Sequence, residues 1–214
     1  MGGRLAGKVV LITGAAGAAS AAARPGSDDG SSSPDAFSSP DRSSTSSVAS
    51  RASAAVDAMV STLAAAQESS ATSPGYVSAF PESVLDRQAK VGGVWAPYYT
   101  LHKIGQGLLD AHVHAGHPRA LGVLVSLLDH VLSRAESVVR SEGSDFWFER
   151  ALHYPVAGFG AESGGMNELA WRAYAATGAS RFARLASLFD HPAFLGAMRA
   201  DDAAARSDWF TGEH

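Results

Sequence analysis

From residue 48 onward the apolar positions recur every three or four residues, the spacing that gathers them on one face of an α-helix. Over 48–67 the series is Val56, Met59, Val60 and Leu63 in an Ala-rich background; over 98–115 it is Leu101, Ile104, Leu108 and Ala111. The stretch 118–139 carries Leu121, Leu124, Leu128, Val131, Ala135 and Val138, the clearest stripe in the chain. Segments 166–176 and 180–190 repeat the pattern more briefly, and Gly- and Pro-containing connections at 74–97 and 141–165 separate the groups. After residue 20 nothing alternates with the two-residue period of a strand. The pattern predicts an all-α body.

Two of the connections resemble each other. Ala115-Gly116-His117-Pro118-Arg119 leads into a helix ending Ser126-Leu127-Leu128-Asp129-His130, and Thr177-Gly178-Ala179-Ser180-Arg181 leads into one ending Ser187-Leu188-Phe189-Asp190-His191. Gly just past one helix, then Pro or Ser at the start of the next, is the chemistry of a tight helix–helix turn. The two units lie roughly 60 residues apart, a period that suggests an α/α solenoid or a closed α/α toroid. The alternative is a coincidence between two generic turns.

The first 47 residues read differently. Arg4 and Lys8 precede an apolar, small-residue run over 9–23, the shape of a weak secretory signal, so secretion is compatible with this start. The same letters, Gly7 to Gly14, also read as a β-strand entering a nucleotide-binding turn. Thr13-Gly14-Ala15-Ala16-Gly17-Ala18-Ala19-Ser20 resembles the Thr-Gly-x-x-x-Gly-x-Gly start of short-chain dehydrogenases. Ala18 and Ser20 replace two of its glycines, and a Ser-rich tract stands where the second strand's acidic residue belongs, so the context for a dinucleotide fails. In that tract 11 of the 24 residues over 27–50 are serine, too little apolar surface to offset the entropy of ordering it. The chain thus divides into a signal-like or strand-like segment over 1–24, a disordered linker over 25–47, a helical domain over 48–204 and an irregular tail over 205–214.

Composition changes this picture little. A hydrophobic share of 46%, a charged share of 18% and a net charge of −4 describe an ordinary soluble globular chain. There is no excess of Lys and Arg for nucleic acid, and no apolar run reaches the roughly 18–20 residues of a membrane span. A neutral substrate such as a sugar suits the mild acidity. The absence of cysteine excludes disulfides, thiolate metal sites and a cysteine nucleophile in this chain.

Candidate chemistry falls in two stretches. Trp95-Ala96-Pro97-Tyr98-Tyr99-Thr100-Leu101-His102 sets an aromatic cluster and a histidine at a helix start. Flat rings stack on sugar C–H faces, and Tyr hydroxyls and His nitrogens bond sugar hydroxyls; the competing reading is a packing cluster. Glu162-Ser163-Gly164-Gly165-Met166-Asn167-Glu168 places Glu162, Asn167 and Glu168 near one helix N-terminus, where they cap the helix or position hydroxyls. His102, His112, His114 and His117 crowd together, but no two stand four residues apart on one helical face, so no metal site is predicted from them.

These segments, with Gly75-Tyr76-Val77-Ser78-Ala79-Phe80-Pro81-Glu82, Gly107-Leu108-Leu109-Asp110 and Leu188-Phe189-Asp190, appear in an order that resembles the β-L-arabinofuranosidase-like hydrolases, glycoside hydrolase family 127, in their plant-type branch. The resemblance covers about residues 50–202. It implies an (α/α)6 barrel with an attached β-domain, a barrel-top cleft and retaining hydrolysis of β-L-arabinofuranosides by a cysteine held in a zinc site of cysteines and a glutamate. By resemblance, His102 matches a barrel-wall histidine facing the sugar, Trp95, Tyr98 and Tyr99 its aromatic surround, and Asn167 and Glu168 the polar turn of the next cleft-facing helix. The ending Thr211-Gly212-Glu213-His214 resembles a later stretch carrying the acid/base glutamate, which makes Glu213 a catalytic candidate. Other family features have no counterpart here: the zinc cysteines are missing, as is a His-x-Asn-Thr-His-Ile-Pro stretch after Asp202. The expectation is therefore a partial (α/α)6 barrel, a truncated and catalytically incomplete glycoside hydrolase without a metal or other cofactor of its own. Its partner would be an arabinofuranoside-type glycan, and its open barrel edge would favour self-association. The rivals are a non-catalytic helical-repeat module for interaction or carbohydrate binding, and a degenerate short-chain dehydrogenase relative.

Overall fold

The computed structural model describes residues 42–70, 73–90, 94, 96–152 and 164–192, with side chains from 47 onward, and among these residues lie seven α-helices and one π-helical turn. No strand occurs among these residues. The segment 1–24 with its dinucleotide-like turn, the linker up to 41 and the tail 205–214 lie outside the described residues.

The first helix, α1 (Arg42–Glu68), begins within the Ser-rich stretch. Its early residues are exposed, while Val60, Leu63 and Ala64 are buried. Once that buried end is helical, each further residue adds one hydrogen bond, and exposed Ser and Ala cost little. Gln67 fixes the loop that follows, its Nε2 donating to the carbonyls of Gly75 (2.7 Å) and Val123 (3.1 Å).

Three short elements sit where periodicity had no length to act on. α2 (Ser83–Ala89) turns only Leu85 and Gln88 inward, so the 74–97 connection hides a helix. Likewise 141–165 contains α5 (Ser144–Phe146) and a π-helical turn (Trp147–Ala151) that buries Trp147. Gln88 stitches the two regions together by donating to the Ala151 carbonyl.

The body consists of two antiparallel hairpins. α3 (Pro97–Val113) returns through Gly116 into α4 (Ala120–Glu142), and α6 (Gly164–Thr177) returns through Gly178 into α7 (Ser180–Leu188). Gly116 and Gly178 have φ of 62° and 70°, the left-handed conformation that ends a helix and that an L side chain resists. α3 packs on α6 and α4 on α7, so like helices of successive hairpins are neighbours. Contacts advance together along α3 and α6, from His102 beside Gly165 to Asp110 paired with Arg172, which makes these two helices parallel. The seam is apolar, with Leu101, Leu108, Leu128, Leu169, Phe182 and Leu185 all essentially without solvent exposure. Outside it, Arg181–Asp129 and Arg184–Glu136 ion pairs, each 2.6 Å, bridge α7 to α4. Hairpins stacked side by side with like helices adjacent are a segment of an α/α barrel wall. No described helix is long and apolar enough to cross a membrane.

Candidate functional site

The chain enters α3 through a strained step. Pro97 occupies the first helical turn, where its missing N–H costs nothing. A proline also disfavours the right-handed helical region for the residue before it, and Ala96 adopts φ 38°, ψ 54°. A left-handed alanine costs on the order of 1 kcal/mol, and such residues persist where the surroundings hold them. Here the step aims the first turn of α3.

From that start the two tyrosines diverge, because adjacent helical residues point about 100° apart. Tyr98 goes inward. Its ring stands edge-on to Trp147 (5.7 Å between centroids) and Phe189 (5.4 Å), and those two stand edge-on to each other at 5.5 Å. The Trp147 indole N–H donates to the Leu188 carbonyl. Tyr98 is thus a member of a closed aromatic core under the α3 N-terminus. Tyr99 goes outward, 55% exposed, with its ring edge-on to His102 at 5.3 Å and the Lys103 ammonium 5.3 Å from the ring centre.

His102 is half-buried and lies flat against Gly165 in the first turn of α6: a Cβ on Gly165 would occupy the space of the imidazole ring. Gly165 therefore serves close approach between two helix starts, a reason the sequence pattern does not disclose. Burial pushes the His102 pKa below its ordinary value, and Lys103 pushes the same way; Glu168 and a backbone hydrogen bond near Tyr99 oppose. The imidazole is accordingly neutral at pH 7, one nitrogen a donor and the other an acceptor. Glu168 is exposed on α6 beside it. The ensemble offers a hydroxyl-rich ligand an exposed ring, a neutral imidazole and a carboxylate.

Asn167 faces elsewhere. Its Nδ2 donates to the Ala186 carbonyl at 2.9 Å, tying α6 to α7. Trp95, Glu162 and Glu213 lie outside the described residues. The remaining histidines separate by role: buried His117 joins α1 to the hairpin turn, its Nε2 3.2 Å from Asp57 and its Nδ1 accepting the Arg119 N–H, while His114 is exposed and His112 half-exposed. No group of three His, Asp or Glu side chains among the described residues could hold a metal ion.

A second polar cluster, not singled out from the sequence, surrounds Glu82 at the end of the Gly75-to-Glu82 stretch. Arg134 of α4 donates to Glu82 (2.7 Å) and to Asp86 (2.6 Å), and the Ser73 hydroxyl donates to the other Glu82 oxygen. The available signal was the i,i+4 spacing of Glu82 and Asp86 at a helix start; their partner lies 48–52 residues away along the chain.

A family model for the beta-L-arabinofuranosidase GH127 catalytic domain matches residues 44–211, well over half of the chain. No curated protein and no solved structure matches the chain.

Proposed function

The chain belongs to the GH127 beta-L-arabinofuranosidase family, and from that premise we propose that its α3–α6 wall binds an arabinofuranoside-type glycan without completing hydrolysis. The observation that carries the reading is the neutral imidazole of His102 seated on Gly165 where two parallel helices begin, with Tyr99 and Glu168 exposed on either side. A furanoside laid against the exposed Tyr99 ring would place its hydroxyls within reach of the imidazole nitrogen that the backbone hydrogen bond at Tyr99 leaves over. His102 binds and orients in this scheme.

Hydrolysis needs more than a wall. The cysteine-and-glutamate zinc site implied by the family resemblance does not fit this chain, which has no cysteine to act as ligand or nucleophile. The reading therefore rests on ligand contacts by His102, Tyr99 and Glu168 alone. The test is a thermal melt of the whole chain with methyl β-L-arabinofuranoside. The sugar is expected to raise the midpoint of the native sequence and not that of His102→Ala, with no sugar hydrolysed on prolonged incubation. An unchanged sugar response in His102→Ala overturns the binding assignment, and measured turnover overturns the claim of incompleteness.

One observation favours a second reading, an interaction module. Trp171 and Tyr174 are exposed on α6, paired edge-on at 6.0 Å, with exposed Val113 on neighbouring α3. Concentration-dependent sedimentation that Trp171→Ser abolishes would support this reading.

A further inference from the structure

Between α2 and the second half of α4 runs a groove of about 480 Å³, on a different face from the His102 wall. One side of it is rigid. Arg134 spends its two terminal nitrogens on Glu82, just before α2, and Asp86 in its first turn, and Glu82 takes a further hydrogen bond from Ser73. These groups hold one another in place and leave one negative charge over, which the Lys90 ammonium at the same groove balances. Other groups around the same groove are uncommitted: the Lys90 ammonium, and the hydroxyls of Ser133 and Ser137, which stand one turn apart on α4. Ala89 and Val138 supply an apolar surface between them.

The second observation lies at the groove's inner end. The side chain of His130 is only 9% exposed, its Nδ1 sits 3.2 Å from the Pro74 carbonyl, and its Nε2 is 3.2 Å from Glu82 Oε1. Held on both ring nitrogens, His130 ties the Pro74 turn and Glu82 to α4 and closes that end of the groove with a fixed side chain.

The lining limits the chemistry of a ligand. Two carboxylates face two cations, so a simple ion of either sign meets no net attraction. A metal ion would have to displace Arg134 from both carboxylates. What remains is a neutral molecule with many hydroxyls and some C–H surface, able to donate to Asp86 and accept from Lys90 and the serines. We propose that this groove is a second saccharide-binding site, distinct from the His102 wall. The choice of saccharide as the polyhydroxyl class rests on the glycan reading above; the existence of the site rests on the groove itself.

The test is an amide-resolved NMR titration of the whole chain with methyl β-L-arabinofuranoside, and separately with inorganic phosphate. Saturable shifts at residues 86–90 and 133–138 are expected with the sugar and not with phosphate. Ser133→Trp, which fills the groove from its exposed rim, should remove them, and Lys90→Ala with Ser137→Ala should weaken binding about tenfold. Both variants start from exposed positions, and their spectra report directly that the fold is kept. His102→Ala should leave the groove shifts in place. Sugar shifts confined to the His102 wall would overturn the groove site and leave the proposed function standing; shifts confined to the groove would do the reverse. A response to phosphate alone, or sugar shifts undiminished by Ser133→Trp, also overturns the inference.

Discussion

Hairpins α3–α4 and α6–α7 both turn on a left-handed glycine, and both reach an Asp-His pair, Asp129-His130 in one and Asp190-His191 in the other. Beyond that point they part. α4 runs on through His130 to Glu142 because Val131, Leu132 and Ala135 continue the buried stripe. α7 stops at Leu188: Pro192 has no N–H and bars the helical region to the residue before it. The early stop lets Phe189 swing into the Tyr98–Trp147 cluster under the α3 N-terminus and sets His191 edge-on to Phe148 at 5.9 Å. The long α4 instead carries His130, Ser133, Arg134 and Ser137 along the groove facing α2. One repeat thus yields an anchor in the second hairpin and a binding face in the first.

The largest effect should come from breaking the anchor. Trp147 is fully buried, contacts both other rings of the cluster and bonds the last carbonyl of α7. Trp147→Ala should cost about 3–5 kcal/mol in equilibrium urea unfolding. A loss below about 1 kcal/mol would mean that the short hairpin is held from elsewhere.

Next in size is the contact between the hairpins. Gly165→Ala would push a methyl group into the His102 ring, and an overpacked core position costs about 1–3 kcal/mol. Because the ring must move to make room, the sugar-dependent rise in melting temperature should vanish as well. Retention of both stability and sugar response would show that the α3–α6 junction tolerates a wider gap, and that His102 needs no such support.

The legible part of the fold was the part with period. The five apolar stripes fall on α1, α3, α4, α6 and α7, and the paired turns at Gly116 and Gly178 are the bends of the two packed hairpins. What stayed hidden was short or remote. α2 is too brief for a stripe to register, and α1 runs back into the Ser-rich tract because helix propagation tolerates polar residues. At the site, His102 and Tyr99 stood out as residue types, whereas the need for Gly165 arises from His102, 63 positions earlier on another helix. Tyr98 and Tyr99 are adjacent and chemically alike; only the rotation of the α3 entry, set by Ala96 and Pro97, decides that one packs and the other faces solvent.

The turns themselves offer a smaller and more symmetrical test. Gly116→Ala and Gly178→Ala each force a side chain into a left-handed conformation, at about 1–2 kcal/mol, with open space around both positions. Nearly equal losses in urea unfolding would confirm that the two turns are equivalent units. A markedly larger loss at Gly178 would tie the geometry of that turn to the aromatic anchor.

The smallest effect is silent at neutral pH and separates the hairpins by their histidines. Burial, the largest influence, lowers the His130 pKa; Glu82 and the Pro74 carbonyl pull it up, Arg134 pushes it down, and the net shift is downward. Above the ordinary histidine value of about 6.5, His130 is neutral both folded and unfolded and contributes nothing to pH dependence. As pH falls below that value the unfolded chain takes up the proton first, so stability declines until the folded state's own lower pKa is passed. His130→Asn keeps an amide N–H for the Pro74 carbonyl and removes the titration. Its stability should match the native chain near pH 7 and fall less steeply between about pH 6.5 and 5. His102 is shifted the same way, so the slope shrinks without disappearing. An unchanged slope would mean that Glu82 offsets burial in full, making His130 as ready to take up a proton in the groove as in water.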